Sequence, residues 1–141
     1  VTILYCGCEI DEDGPCTVED DVVERITPVL PVGVTVFTHM AVNPVHPYLV
    51  IGLRPIDGGR RLGDTCWHST GSVRIRVYDK IKSGGGEIAA LITPVLMDKA
   101  CRLTRIGSYC IHSAQWPNTI LTAEGVFVTQ VLYGAVLRHP I

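Results

Sequence analysis

Gly71-Ser72-Val73-Arg74-Ile75-Arg76-Val77-Tyr78 is the stretch on which the fold turns. Its residues alternate with a period of two, so Val73, Ile75 and Val77 share one side of a strand while Arg74, Arg76 and Tyr78 share the other. One side is built for a core and the other is left available. Upstream, Tyr48-Leu49-Val50-Ile51-Gly52-Leu53 is apolar or small at every position, as expected of a central strand covered on both faces. Before it, Val34 to His39 alternates and is rich in β-branched residues, which predicts another strand. Arg54 to Ser69 is polar and Gly-rich, with Asp57-Gly58-Gly59 as its turn, and reads as a long excursion between strands.

Two helices complete the pattern. Thr17 is a candidate N-cap, Glu19, Asp20 and Asp21 suit the positive end of a helix dipole, and Val18, Val22 and Ile26 repeat every four residues. Asp21 and Arg25 are spaced to pair, and Pro28 and Pro31 end the helix. After Gly84-Gly85-Gly86, a flexible helix entry, Ile88, Leu91, Ile92 and Val95 form one buried stripe, with a kink or break expected near Thr93 because Pro94 removes a helix bond. Ile106 to Ser113 and Gly125 to Leu137 read as two closing strands. The fold class is α+β: a mainly antiparallel, or mixed, four- to five-stranded sheet with two helices packed on one face. Residues 1-16, broken by Gly7, Gly14 and Pro15, read as an N-terminal extension to a single domain at 17-141.

Composition bounds the function. The 141 residues are 47% hydrophobic with net charge -2, which excludes a disordered chain, and no apolar run approaches the ~18 residues of a membrane span. Acids at Glu9, Asp11, Glu12 and Asp13 occupy the place where a secretory signal would be apolar. Charge is distributed unevenly. Residues 1 to 24 carry eight acids and no Lys or Arg, whereas residues 54 to 82 carry seven bases against three acids. Such a split suits a head-to-tail contact between copies, although two solvated faces would look the same.

Catalytic and cofactor chemistry is poorly represented. His39, His46, His68, His112 and His139 stand in no catalytic spacing, and the triple glycine lacks a following Lys-Ser/Thr pair, so neither an enzyme nor a phosphate loop is expected. The arginines come without interleaved aromatics in a chain of pI ≈ 6.2, which argues against specific nucleic-acid binding. Cys6, Cys8 and Cys16, with Cys66, could hold zinc, yet C-x-C is tighter than the usual ligand spacing; the cysteines are read as reduced thiols, no cofactor is expected, and a small zinc-binding module is the alternative.

His46-Pro47-Tyr48-Leu49-Val50-Ile51-Gly52, the Gly-rich excursion, Gly71 to Tyr78, and Gly84-Gly85-Gly86-Glu87-Ile88-Ala89-Ala90-Leu91 together resemble the tail-terminator (tail-completion, head-tail joining) proteins of tailed bacteriophages and gene-transfer agents. The likeness runs from Thr17 to Leu137; residues 1-16 and Pro94 depart from it. It implies a compact α/β subunit without enzymatic activity, assembled as a homo-oligomeric hexameric ring that caps the tail tube and joins the tail to the head connector. Its partners would be other copies, the tail tube protein and the connector or stopper protein. DNA would pass through the lumen without specific binding, and no membrane would be involved. The location would be the virion neck, and the host cytoplasm during assembly. Another neck component, a stopper or head-completion protein, is the nearest alternative. On this reading Arg54, Arg60, Arg61, Arg74 and Arg76 meet a neighbouring subunit or the tube, and Trp67 and Tyr78 anchor the contact.

Overall fold

A computed structural model describes residues 1-5, 8-55, 60-62, 66-98 and 101-140. In chain order its elements are β1 (Thr2–Tyr5), β2 (Cys8–Asp11), α1 (Val18–Ile26) with a 3-10 turn at Thr27–Val29, β3 (Thr35–Thr38), β4 (Tyr48–Pro55), β5 (Arg60–Leu62), β6 (Cys66–Asp79), α2 (Gly84–Leu96), β7 (Arg102–Thr104), β8 (Gly107–Ala114), β9 (Asn118–Leu121) and β10 (Phe127–Pro140). The chain is α+β, with two helices among the described residues and a mixed, mostly antiparallel sheet. The sheet runs β3-β4-β6-β10-β8-β7, with β5 beside β6 and β9 beside β10; β1 and β2 form a separate hairpin. Among the described residues, only β3 and β4 run parallel. The five expected strands are β3, β4, β6, β8 and β10, and the short β5, β7 and β9 join them.

The backbone of the sheet is the antiparallel pair β6 and β10, matched residue for residue from Cys66↔Pro140 to Asp79↔Phe127. Period-two alternation sends Val73, Ile75 and Val77 of β6 to the same side as Val131, Tyr133 and Ala135 of β10, Leu49 and Ile51 of β4, and Tyr109 and Ile111 of β8. Both helices bury their stripes there: Val18, Val22 and Ile26 of α1, and Ile88, Ala89, Ile92 and Leu96 of α2.

Local signals behave as their chemistry requires at the start of α1, where Asp20 N–H donates to Thr17 Oγ1 at 3.2 Å. Several other expectations are corrected. The stripe of α2 uses Ala89 and Leu96, while Leu91 points outward at 44% exposure. The helix continues through Pro94: Ala90 and Pro94 are both exposed, so the carbonyl that loses its partner meets solvent. The glycine run is a close-packing device. A Cβ on Gly84 would lie 1.8 Å from Asp79 Oδ2, and one on Gly85 2.0 Å from Thr129 Oγ1. The Arg54 to Ser69 excursion is partly taken up by longer flanking strands, β4 reaching Pro55 and β6 starting at Cys66; its Asp57-Gly58-Gly59 turn lies outside the described residues. β4 is covered by the helices on one face only: Leu49 and Ile51 lie in the core, while Val50, Gly52 and Arg54 border a cavity on the other face.

Candidate interface on the open face of the sheet

Across from the helices, the Arg74 to Tyr78 part of β6 and the neighbouring residues of β4 border open cavities. Strand register sets Arg74 between Gly52 and Leu132, Arg76 between Val50 and Gln130, and Tyr78 between Tyr48 and Val128. Arg76 Nε donates to Gln130 Oε1 at 3.0 Å, which fixes that side chain across the β6-β10 pair. Arg74 reaches over Gly52; even a Cβ there would come no closer than 3.9 Å to its Nη2. At one end Tyr48 and Tyr78 stack with centroids 4.7 Å apart and planes 6° from parallel, and Phe37 and His46 pack against Tyr48. Burial, followed by the neighbouring Tyr78, raises the Tyr48 phenol above its ordinary pKa.

Tyr48, Arg74, Arg76 and Tyr78 border a cavity of about 490 Å³, rimmed by His39, Met40, Ala41 and Arg54. A second, of about 430 Å³, shares Arg76 and Tyr78 with it and continues toward Asn118 and Ile120 on β9. The result is one trough running across the open face. No acid lines its first part, and among the described residues neither Arg54 nor Arg74 has a carboxylate partner. A trough of guanidinium, phenol and aliphatic groups can recognise an anionic, partly apolar surface.

Four of the sequence-derived candidates, Arg54, Arg74, Arg76 and Tyr78, therefore come together. Trp67 does not: seven residues from Arg74 along β6, it is ~23 Å away at the usual rise per residue, and odd numbering turns it to the other face. Arg60 and Arg61 pair through β5 with His68 and Trp67, and their side chains lie outside the described residues. Tyr48, His39 and Gln130 belong to the trough but were not anticipated. An all-apolar stretch conceals which of its residues point to which side, so Tyr48 gave no signal.

The acidic block divides. Asp21 is 1% exposed and accepts from Arg102 Nε at 3.1 Å and Nη2 at 3.0 Å, and from the Tyr109 hydroxyl. Arg25 does not turn to Asp21; it donates to Tyr109 Oη at 3.2 Å and to the Val95 carbonyl at 2.8 Å, capping α2. Burial, and then the bond to Asp21, holds the Tyr109 phenol far above its ordinary pKa, while the bond to Asp21 raises Arg102. Glu19 is also buried, 3.1 Å from His39 Nε2. What remains outside is a cleft of about 870 Å³ beside β7, where Asp11, Asp13, Asp20 and Glu24 gather with Arg102 and Arg105.

The cysteines are also redistributed. Cys8 is bonded to Cys66, and Cys101 to Cys110, so the reading of these four as reduced thiols is corrected. The register places Cys101 beside the Arg102↔Tyr109 pair, directly across from Cys110, and their Cα atoms are 4.6 Å apart. Cys8 is brought to Cys66 by the β1-β2 hairpin, with Cα atoms 5.8 Å apart, and the bond fastens residues expected to be an appendage onto the sheet. Of the weighed zinc ligands, Cys8 and Cys66 are thus consumed, Cys16 is exposed and free, and Cys6 lies outside the described residues. Among the described residues no three His, Cys, Asp or Glu side chains converge as metal ligands would, and no helix is long and apolar enough to cross a membrane.

No family model matches the chain. No curated protein matches it either. A solved structure whose name carries no functional word aligns over 85% of this chain and 86% of its own, with 16% identity and a TM-score of 0.49. A likeness of that degree supports no functional inference.

Proposed function

We propose that this chain is a non-enzymatic ring subunit of the phage tail-terminator type, which caps the tail tube and joins the tail to the head connector. The observation that carries the reading is the asymmetry of the sheet: helices seal one face, while the other holds Arg54, Arg74, Arg76 and Tyr78 in a trough without acids. A subunit that must meet unlike surfaces on its two sides needs such inequality, because a closed ring is built from head-to-tail contacts. The resemblance carried by His46 to Gly52, Gly71 to Tyr78 and Gly84 to Leu91 supplies the biological setting, with a hexameric ring and DNA passing through its lumen.

In this reading the domain at 17-141 forms the ring, and the 1-16 hairpin, held by Cys8–Cys66, is an addition at its surface. Removing the gene from the virus or gene-transfer agent that encodes it is the test. The proposal expects tails of uneven length that fail to join filled heads. Uniform, joined tails would overturn it, and uniform tails with heads that leak DNA would favour a stopper instead.

A further inference from the structure

We propose that the occupant of the arginine trough is the acidic cleft of a second copy of this chain. The inference rests on the ring reading and goes further by naming the two mating surfaces. Arg74 is half-buried and Arg54 exposed, and neither has an acid partner among the described residues. A partly desolvated cation without a counter-charge calls for one from outside the chain.

The same molecule carries the complement. Three arginines and no acid line the trough. Five acids line the cleft against two arginines, of which Arg102 is taken by Asp21. Asp21 is held by Arg102 and Tyr109, and among the described residues Asp20 and Glu24, both exposed on α1, have no cationic partner. The trough lies over β4 and β6 on the open face, whereas the cleft is walled by α1 together with β7. The His39–Glu19 pair brings α1 to the rim of the trough, yet among the described residues no ion pair joins Arg54, Arg74 or Arg76 to Asp20 or Glu24, so the two patches do not pair within one subunit. Being different surfaces, they form a heterologous contact, the kind that repeats around a ring.

Charge reversal tests this pairing on the full chain, by sedimentation velocity of the free protein and by imaging on tail tubes. Arg74→Glu with Arg76→Glu, and separately Asp20→Lys with Glu24→Lys, should each reduce assembly at least tenfold. Mixing the two variants should restore it, because every contact in an alternating ring again pairs opposite charges; six subunits permit that alternation. Wild-type assembly should weaken between ~20 mM and ~500 mM salt as the charges are screened. If either variant assembles as well as the wild type, or the mixture stays unassembled, the pairing is wrong while the ring reading stands. If the wild type forms no ring even on tubes, both fall. Should the arginine reversal unfold the sheet, Asp20→Lys with Glu24→Lys, at exposed positions, decides by itself: unchanged assembly overturns the pairing, and salt-sensitive loss supports it.

Discussion

The two faces of β6 are made from alternate residues of one strand and obey different rules. Val73, Ile75 and Val77 are 0% exposed beneath the helices, as are Leu49 and Ile51 on β4 and Tyr133 and Ala135 on β10. Arg74, Arg76 and Tyr78, one residue out of step, are half-buried and look into an uncovered trough. The covered face owes its energy to removing apolar area from water, so its side chains are judged by fit. The open face adds little to the stability of the subunit and is judged by what it meets. Substitutions should therefore sort cleanly: those on the first face change folding, and those on the second change assembly.

The sharpest way to break this division is Ile75→Ala, which removes a fully closed side chain and should cost about 3 kcal/mol in urea unfolding. Arg102→Ala leaves the Asp21 carboxylate buried with Tyr109 as its nearest remaining donor; because the arginine side chain is 43% exposed and partly screened, the loss should be about 2 to 3 kcal/mol by the same measurement. Gly85→Ala drives a methyl group into Thr129 and should cost about 1 to 3 kcal/mol, with the melting temperature falling accordingly. Arg74→Ala should move the unfolding free energy by no more than ~0.5 kcal/mol while weakening assembly; a large stability loss there would erase the distinction between the faces.

The smallest effect concerns pH. Burial, and secondarily Arg138, lowers the pKa of His68 in the folded chain. The unfolded state then takes up a proton that the folded state resists, so this contribution is complete above about pH 6.5 and declines as pH falls below it. His68→Gln should flatten that part of the stability profile.

How much of this was legible beforehand follows from the range of each interaction. The alternation at Val73 to Tyr78 and the Thr17 cap are local, and both were readable in the sequence. Arg54, Arg74 and Arg76 were each readable as candidates, but their meeting depends on β4 pairing with β6, which no local pattern encodes. Cys8 and Cys66 are 58 residues apart, and their meeting depends on a hairpin docking that no local pattern encodes. Asp21 and Arg25 had the spacing of a helix pair, yet stronger tertiary partners drew each away. The pentapeptide Ile-Thr-Pro-Val-Leu occurs twice, at Ile26 to Leu30 and at Ile92 to Leu96, and makes the same point. In both copies the threonine hydroxyl donates to the carbonyl four residues earlier, Thr27 to Val23 and Thr93 to Ala89, but the first copy leaves α1 for a 3-10 turn while the second stays within α2. Packing decides between them: Leu96 continues the buried stripe of α2, whereas Leu30 lies in extended backbone beyond the turn.

The central claim is that the open face is a mating surface through which copies of this chain close into a ring. Electron microscopy of the purified protein incubated with uncapped tail tubes tests it most directly. The account predicts a six-subunit ring of density at one tube end, absent when Arg74 and Arg76 are both replaced by glutamate. Bare tube ends with the wild-type protein, at every concentration that keeps it folded, would contradict it.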